Sequence, residues 1–249
     1  MEHLKYELTG GIAILTLKRG KANAINLAMI TEMAAAFERA QQDAAAIVWA
    51  SGCLRFFSAG FDVNEVFTYD RAQLTEFLST FSRLQQSILH CPKPVVAALP
   101  GQTYAGGAIL ALSCDFRVMA DGPYGFALTE VNIGVNLPPS IFHLLASAVG
   151  VPKARQMFLT GEPIFAPQAY AMGLVHELAD ESEVTDKAVA WATKLAAKPA
   201  ATYAAIKRTM LDSIHLSRTD EWVVDVDAWF TPEAAEFKKR LWEKLAKLK

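Results

Sequence analysis

The sequence predicts an α/β protein whose chain ends in a helical lobe. Three apolar runs (residues 45–50, Val95–Leu99 and Phe116–Ala120) are bounded by Gly, Pro or polar residues, a pattern typical of buried parallel strands. Stretches with apolar residues at helical spacing alternate with these runs. From Pro152 onward the pattern is mostly helical, and the composition changes near residue 200. We therefore expect an α/β core over residues 1–195 and a helical lobe over residues 196–249.

The composition of the 249-residue chain favours an intracellular protein with a large core. Apolar residues make up 52% and charged residues 20% of the sequence. The net charge of -2 gives no electrostatic reason to expect a nucleic-acid partner. Three scattered cysteines predict reduced thiols and a cytoplasmic location. We recognise no secretory signal, no run long enough to span a bilayer and no His/Cys cluster for a metal, so we expect neither a membrane partner nor a metal site.

The N-terminal segment predicts a hairpin followed by a helix. Residues 5–8 and 12–18 alternate apolar and polar side chains around two glycines. A compact basic loop follows, Lys18-Arg19-Gly20-Lys21, which is either a solvated turn or a binding site for phosphates. Asn26 is placed to cap the next helix. The apolar positions of that helix recur at helical spacing: Leu27, Ile30, Met33 and Phe37.

Small residues follow the first buried run. Ser58, Ala59 and Gly60 would let a ligand approach the backbone closely. Asp62 is placed to cap the turn after them, which is the simplest role for that side chain. A long amphipathic helix is expected over residues 71–91, because apolar residues keep helical spacing until Pro92 and Pro94.

Two adjacent glycines stand where a strand is expected to pass into a helix. Residues 102–106 lead from the run Val95–Leu99 into an apolar helix expected over residues 107–113. The free N–H groups at such a helix start, together with the positive end of the helix dipole, suit an oxyanion. The alternative is that Gly106 and Gly107 only allow close helix–strand packing.

Glu130 is a single carboxylate among apolar residues. It follows the expected strand Phe116–Ala120 and lies in the apolar stretch 126–131. A buried position would raise its pKa towards neutrality, which suits a group that accepts and returns a proton. The alternative is an exposed or ion-paired Glu130 without a catalytic role.

The C-terminal half predicts a series of helices and one strand. Pro138 and Pro139 suit the start of a helix, and Gly161 and Gly173 suit the ends of two others. A strand is expected over residues 173–178. Helices are expected over residues 141–149, 153–160, 166–172, 181–197, 200–216, 219–230 and 233–248.

Several motifs together resemble the crotonase superfamily, also called enoyl-CoA hydratase/isomerase. The resemblance covers nearly the whole chain and includes residues 57–62, 104–107, 114–115, 130–134, 159–161 and 171–175. It implies a spiral of ββα units with a helical oligomerisation region. It also implies a homotrimer or a dimer of trimers, for which Trp222, Trp229 and Trp242 on apolar C-terminal helices are suitable.

The resemblance also implies the roles of particular residues. The N–H groups of Phe61 and Gly106 would form an oxyanion hole for a CoA thioester, with Glu130 as the catalytic base. CoA would be part of the substrate, with no permanently bound cofactor. The residues expected to contact the CoA or the acyl group are Lys21, Ala22, Ser58, Ala59, Gly60, Asp62, Val63 and Thr129. Ile109, Phe126, Leu128 and Leu137 are expected either to line the acyl pocket or to pack in the core.

One departure from the hydratase pattern favours isomerisation. Hydratases of this family carry two glutamates that hold a water molecule, and the first corresponds to Ile109 here. A single Glu130 is enough for a 1,3 proton shift, and the pattern is similar to that of Δ3,Δ2-enoyl-CoA isomerases. Three alternatives stay open: a hydratase, another enolate reaction such as decarboxylation or carbon–carbon cleavage, and a non-catalytic CoA-binding protein.

Overall fold

The computed structural model describes residues 1–214, 216 and 226–246. These residues form two sheets surrounded by helices. The strands are β1 (Leu4–Thr9), β2 (Ile12–Leu17), β3 (Ala46–Ser51), β4 (Phe56–Ser58), β5 (Val95–Leu99), β6 (Gln102–Tyr104), β7 (Phe116–Ala120), β8 (Gly125–Ala127), β9 (Ile164–Phe165) and β10 (Glu177–Ala179). The helices are α1 (Leu27–Asp43), α2 (Val63–Val66), α3 (Arg71–Leu89), α4 (Gly106–Ser113), α5 (Pro139–Val149), α6 (Val151–Thr160), α7 (Ala166–Ala171), α8 (Val184–Ala196), α9 (Ala200–Ser213) and α10 (Pro232–Ala246), with short 3-10 helices at Glu130–Ile133 and Val226–Phe230.

The larger sheet has six strands in the order β1-β2-β3-β5-β7-β10. β1 and β2 form the predicted antiparallel hairpin, and the other neighbours are parallel. Both faces of the sheet are covered. Along β3, Ile47 and Trp49 join the core under α1 and α3, whereas Val48 faces the small residues of α8, including Ala188 and Ala192. The all-apolar pattern of β3 therefore follows from its burial on both faces.

The smaller sheet has four short strands in the order β4-β6-β8-β9. β4, β6 and β8 run parallel to one another, and β9 is antiparallel to β8. Each of the first three strands is only three residues long. The carboxyl ends of parallel strands lie at one edge, so the residues that follow β4, β6 and β8 come together there.

Most of the predicted elements are present with small shifts at their ends. Asn26 caps α1 by accepting a hydrogen bond from the Met29 N–H, and Asp62 caps α2 in the same way. The predicted strand 173–178 is wrong in its first half. The N–H groups of Leu174 and Val175 both donate to Ala169 O at the end of α7, so these residues close the helix, and pairing begins only at β10.

The C-terminal segment folds back over α2. Trp229 and Trp242 contact the ring of Phe67, with ring centroids 6.0 and 6.2 Å from it. Of the helix predicted over residues 219–230, only Val226–Phe230 lies within the described residues, as a 3-10 helix. Trp222 lies outside them. No helix of the described residues is long and apolar enough to cross a membrane.

Candidate active site

Three backbone segments meet at the carboxyl edge of the smaller sheet. Phe61 follows β4, Gly106 follows β6 and Glu130 follows β8, each within three residues of the strand end. Because these strands are adjacent and parallel, the fold brings together the residues that the sequence identified as the oxyanion donors and the base. This arrangement depends on the smaller sheet, which the sequence did not predict.

Phe61 is fixed by its backbone and by its ring. Ile25 pairs with it in a parallel bridge, in which Asp62 N–H donates to Ile25 O and Ile25 N–H donates to Gly60 O. The Phe61 ring packs edge-on against the rings of Phe77 and Phe81, with centroids 4.8 and 4.9 Å away. Among the described residues, no group accepts a hydrogen bond from the Phe61 N–H.

Gly106 lies directly against this loop. A Cβ on Gly106 would be 2.8 Å from the Phe61 ring, and a Cβ on Gly60 would be 3.2 Å from the Gly106 nitrogen. Gly106 is the first residue of α4, so its N–H has no partner within the helix. The structure thus places the Phe61 loop against the first residue of an apolar helix, and N–H groups on two such adjoining segments can stabilise a negatively charged oxygen.

Ala105 has a strained backbone immediately before the helix. Its φ of 48° and ψ of -124° lie in a region that L-residues rarely adopt, and such strain costs about 1–3 kcal/mol. No side chain caps the start of α4. The turn at Ala105 therefore leaves the first N–H groups of the helix open towards the site. An alanine gives no sign of a positive φ in the sequence, so this turn is visible only in the structure.

Replacing Gly107 by alanine is expected to reduce both stability and turnover. A Cβ at this position would lie 2.6 Å from Cβ of Ser58 and 2.9 Å from its carbonyl oxygen. Because overpacking of a buried contact costs about 1–3 kcal/mol, α4 must shift away from β4, and the Gly106 N–H moves with it. Thermal melting and turnover of a thioester substrate measure the two effects. Unchanged turnover would show that the position of α4 is unimportant.

Glu130 is buried without a hydrogen-bonding partner. It begins a 3-10 helix that ends at Gly134, and its side chain is 3% exposed. Within the part of the chain that the structure describes, neither carboxyl oxygen has a hydrogen-bond partner. Burial raises the pKa of Glu130 to about 8. A carboxyl group with a pKa near neutrality can accept and return a proton.

The basic loop is only partly available to a ligand. Arg19 turns inward, where its guanidinium donates to Asp62 at 2.8 Å and to Ala24 O at 2.6 Å. This ion pair connects the loop to the segment that carries Phe61. Lys18 and Lys21 remain exposed. Arg19 therefore stabilises the fold, whereas the side chains of Lys18 and Lys21 are available to bind a ligand at the predicted phosphate site.

The residues predicted to contact the CoA or the acyl group divide by burial. Ala22, Ala59, Asp62, Val63 and Thr129 are partly buried, whereas Ser58 and Gly60 are buried. The Ser58 hydroxyl donates to Asn23 O and accepts from the Gly60 N–H. Contact with a ligand stays a prediction for all of them.

Asn23 and the expected acyl-pocket residues belong to the protein interior. Asn23 is fully buried with a φ of 46°, and its side chain donates to Ser51 and to Phe57 O. Asn tolerates a positive φ better than most residues do. Three of the residues expected in the acyl pocket are fully buried in the main core, and one is partly buried against it: Ile109, Phe126, Leu128 and Leu137. No group of three His, Cys, Asp or Glu side chains within the described residues could hold a metal ion.

Comparisons with known proteins identify the family of the chain. The sequence model of the enoyl-CoA hydratase/isomerase family matches residues 7–239. Enoyl-CoA delta isomerase 1, mitochondrial, of Mus musculus is 30% identical over 192 residues, which cover 76% of this chain and 66% of the mouse protein. An enoyl-CoA hydratase structure from Mycobacterium ulcerans is 26% identical, with a TM-score of 0.80 over 85% of this chain and 92% of that one.

A second solved structure shows the same fold over almost the whole chain. The human mitochondrial delta3-delta2-enoyl-CoA isomerase has a TM-score of 0.88 with 23% identity, covering 99% of both chains. The family match spans Phe61, Gly106 and Glu130. Sequence, fold and site therefore agree that this chain belongs to the enoyl-CoA hydratase/isomerase family, the crotonase superfamily.

Proposed function

We propose that the protein is an enoyl-CoA Δ-isomerase that converts 3-enoyl-CoA into trans-2-enoyl-CoA. The main support for this proposal is the buried carboxyl group of Glu130, which has no hydrogen-bond partner among the described residues. It lies at the same sheet edge as the Phe61 and Gly106 N–H groups. A proton shift between two carbons requires one base and an oxyanion site. It requires no second carboxylate.

The proposed reaction has two proton transfers. The N–H groups of Phe61 and Gly106 donate to the thioester oxygen, and the ionised Glu130 removes a proton from C2. The electrons of the C2–H bond form an enolate, which the two N–H groups stabilise. Glu130 then returns the proton at C4, the double bond moves to C2–C3, and the carboxylate is regenerated. Loss of one such donor typically raises an activation barrier by about 2.7–4 kcal/mol.

Hydration is the alternative that the family includes. Addition of water requires a group that orients the water beside Glu130. Ile109 stands where the hydratase pattern has its first glutamate, and it is fully buried in the apolar core. An aliphatic side chain neither orients water nor transfers a proton, which favours isomerisation. Decarboxylation, carbon–carbon cleavage and CoA binding without catalysis have no observation of their own in their favour.

The proposed substrate is an acyl-CoA. The exposed Lys18 and Lys21 are suited to the phosphates, and the backbone of residues 58–63 to the pantetheine and adenine. Coenzyme A is then part of the substrate and not a resident cofactor. A cytoplasmic location stays a prediction.

The proposed assembly is a homotrimer or a dimer of trimers. α9 exposes 57% of Ile206 and 63% of Met210. Beside them lies an open groove of about 660 Å³ between α9 and the core, with largely apolar walls that include Leu144 and Leu211. Apolar surface of this extent favours contact with a second copy of the chain. A monomer in light scattering would contradict this assembly.

Ultraviolet absorbance of the conjugated enoyl thioester tests the proposed activity. One reaction starts from 3-enoyl-CoA, and the other from trans-2-enoyl-CoA. We expect absorbance to rise in the first reaction and to change little in the second. A fall in the second would identify a hydratase and contradict the argument from Ile109. No change in either would favour another enolate reaction or binding alone.

A further inference from the structure

Arg117 is a buried cation that the proposed reaction does not use. It lies on β7 and is 5% exposed. Among the described residues, no carboxylate lies within ion-pair distance of it. Burial lowers the pKa of Arg117 to about 10, so the guanidinium is charged at neutral pH. Since an uncompensated buried charge is costly, its hydrogen bonds must compensate for much of the lost hydration.

The guanidinium donates to carbonyl groups at the C-terminal end of α4. Its Nη1 lies 3.1 Å from Ala111 O, 3.3 Å from Leu112 O and 2.8 Å from Cys114 O. Its Nε donates to Leu174 O at 2.7 Å. Carbonyl groups at a helix end have no partners within the helix, and a positive charge there is favourable to the helix dipole. Arg117 therefore holds the end of α4 that lies opposite Gly106.

The start of α4 is held by a backbone hydrogen bond, in which the Ala105 N–H donates to Ala127 O of β8. No side chain caps it, and its first N–H groups are left open. All eight residues of α4 are buried. A Cβ on Gly106 would lie 2.8 Å from the Phe61 ring, and one on Gly107 would lie 2.6 Å from Ser58 Cβ, so the start of α4 packs closely against these residues. The position of α4 thus depends on both of its ends, and Arg117 supplies charged hydrogen bonds at the C-terminal end.

We propose that Arg117 is a positioning residue of the oxyanion hole, which fixes α4 from its C-terminal end so that the Gly106 N–H meets the thioester oxygen. This inference rests on the proposed function. Arg117 does not touch the substrate. It acts through the helix, and its removal affects the stabilisation of the enolate more than the binding of the CoA.

Two substitutions separate this role from general stability. Arg117→Met keeps an apolar stem of similar length without charge, and Arg117→Lys keeps the charge but cannot reach several carbonyl groups at once. We expect Arg117→Met to lower kcat by about 10–100-fold with less than about a threefold change in KM, because small misplacements of catalytic groups have effects of this size. Arg117→Lys should fall between Arg117→Met and the natural protein. If Arg117→Met does not fold, Arg117→Lys provides the comparison.

Lys207→Met is the matched control. Lys207 on α9 is a partly buried cation near the same turn, paired with Asp115 at 2.8 Å, and it donates to no α4 carbonyl group. We expect this variant to melt at a lower temperature while kcat is retained. An equal loss of kcat in Lys207→Met would show that destabilisation of this region, and not the position of α4, lowers the rate. That result would overturn the proposal.

Infrared spectroscopy of bound hexanoyl-CoA, labelled with ¹³C at the carbonyl, measures the oxyanion hole without turnover. We expect the carbonyl stretch to move to lower frequency in the natural protein and to move less in both Arg117 variants, at similar CoA affinity. A natural protein without this shift would contradict the proposed function itself. If the natural protein shows the shift, and the Arg117 variants show the same shift and the same kcat, the inference on Arg117 alone is wrong.

Discussion

Replacing Glu130 by glutamine is expected to lower the turnover of 3-enoyl-CoA by about 10²–10⁴-fold, the usual contribution of a positioned acid–base group. Glutamine has nearly the same shape as the protonated carboxyl, so the fold and the affinity for CoA should be retained. The amide cannot accept a proton from C2, because it has no ionised form near neutral pH. Initial rates with 3-enoyl-CoA and the binding of a saturated acyl-CoA measure the two effects separately.

Glu162→Gln is the control for this substitution. Glu162 is exposed, and its neighbour Gly161 contacts Asn132 of the 3-10 helix that begins at Glu130. The same chemical change at this nearby position should leave turnover unaffected. If Glu130→Gln retained full activity, Glu130 would have no part in the proton transfer, and another base would be required.

The core could be predicted from the sequence because its signals are local. The buried strands are continuous apolar runs, and Asn26 and Asp62 are of the types that cap helices. The resemblance to the family supplied Phe61, Gly106 and Glu130 as a set. The structure shows why they form a set, since each follows one of three adjacent parallel strands.

The parts that the sequence did not predict depend on contacts between distant residues. Strands of two or three residues, such as those of the smaller sheet, are too short to show a periodic pattern. The inward turn of Arg19 depends on Asp62, which lies 43 residues away. The strain at Ala105 and the role of Arg117 at the end of α4 likewise arise only when the tertiary structure is formed.

The second large effect that we expect is a dependence of the free energy of unfolding on pH, caused by the titration of Glu130. The pKa of Glu130 is about 8 in the folded protein and 4.5 for an exposed glutamate. Between these pH values the folded state holds a proton that the unfolded state releases, so stability falls as pH rises through this window. At pH 7 this titration lowers the free energy of unfolding by about 3 kcal/mol, at 1.36 kcal/mol per pKa unit. Glu130→Gln has no such titration and should therefore be more stable than the natural protein above pH 5.

Melting curves of the substrate-free proteins between pH 5 and pH 8 measure this difference. We expect Glu130→Gln to melt about 6–12 °C higher at pH 7, with the gap closing towards pH 5, because about 2–4 °C corresponds to 1 kcal/mol in a chain of this size. Glu162→Gln should follow the natural protein at every pH. Parallel curves for Glu130→Gln and the natural protein would show that the carboxyl is hydrated or hydrogen-bonded in solution.

The same titration should change activity in the opposite direction. The base must be ionised in the free enzyme, so kcat/KM should rise with pH up to about 8 and then level off. Stability decreases over the same interval, because ionisation of Glu130 is unfavourable in its apolar surroundings. The apolar surroundings that destabilise the ionised carboxylate also make it a stronger base towards the proton on C2. A lower stability of the fold at higher pH therefore accompanies a greater capacity to remove this proton. If kcat/KM were independent of pH between 6 and 8 while the melting curves diverged, Glu130 would be a buried acid without a role in the rate-limiting proton transfer.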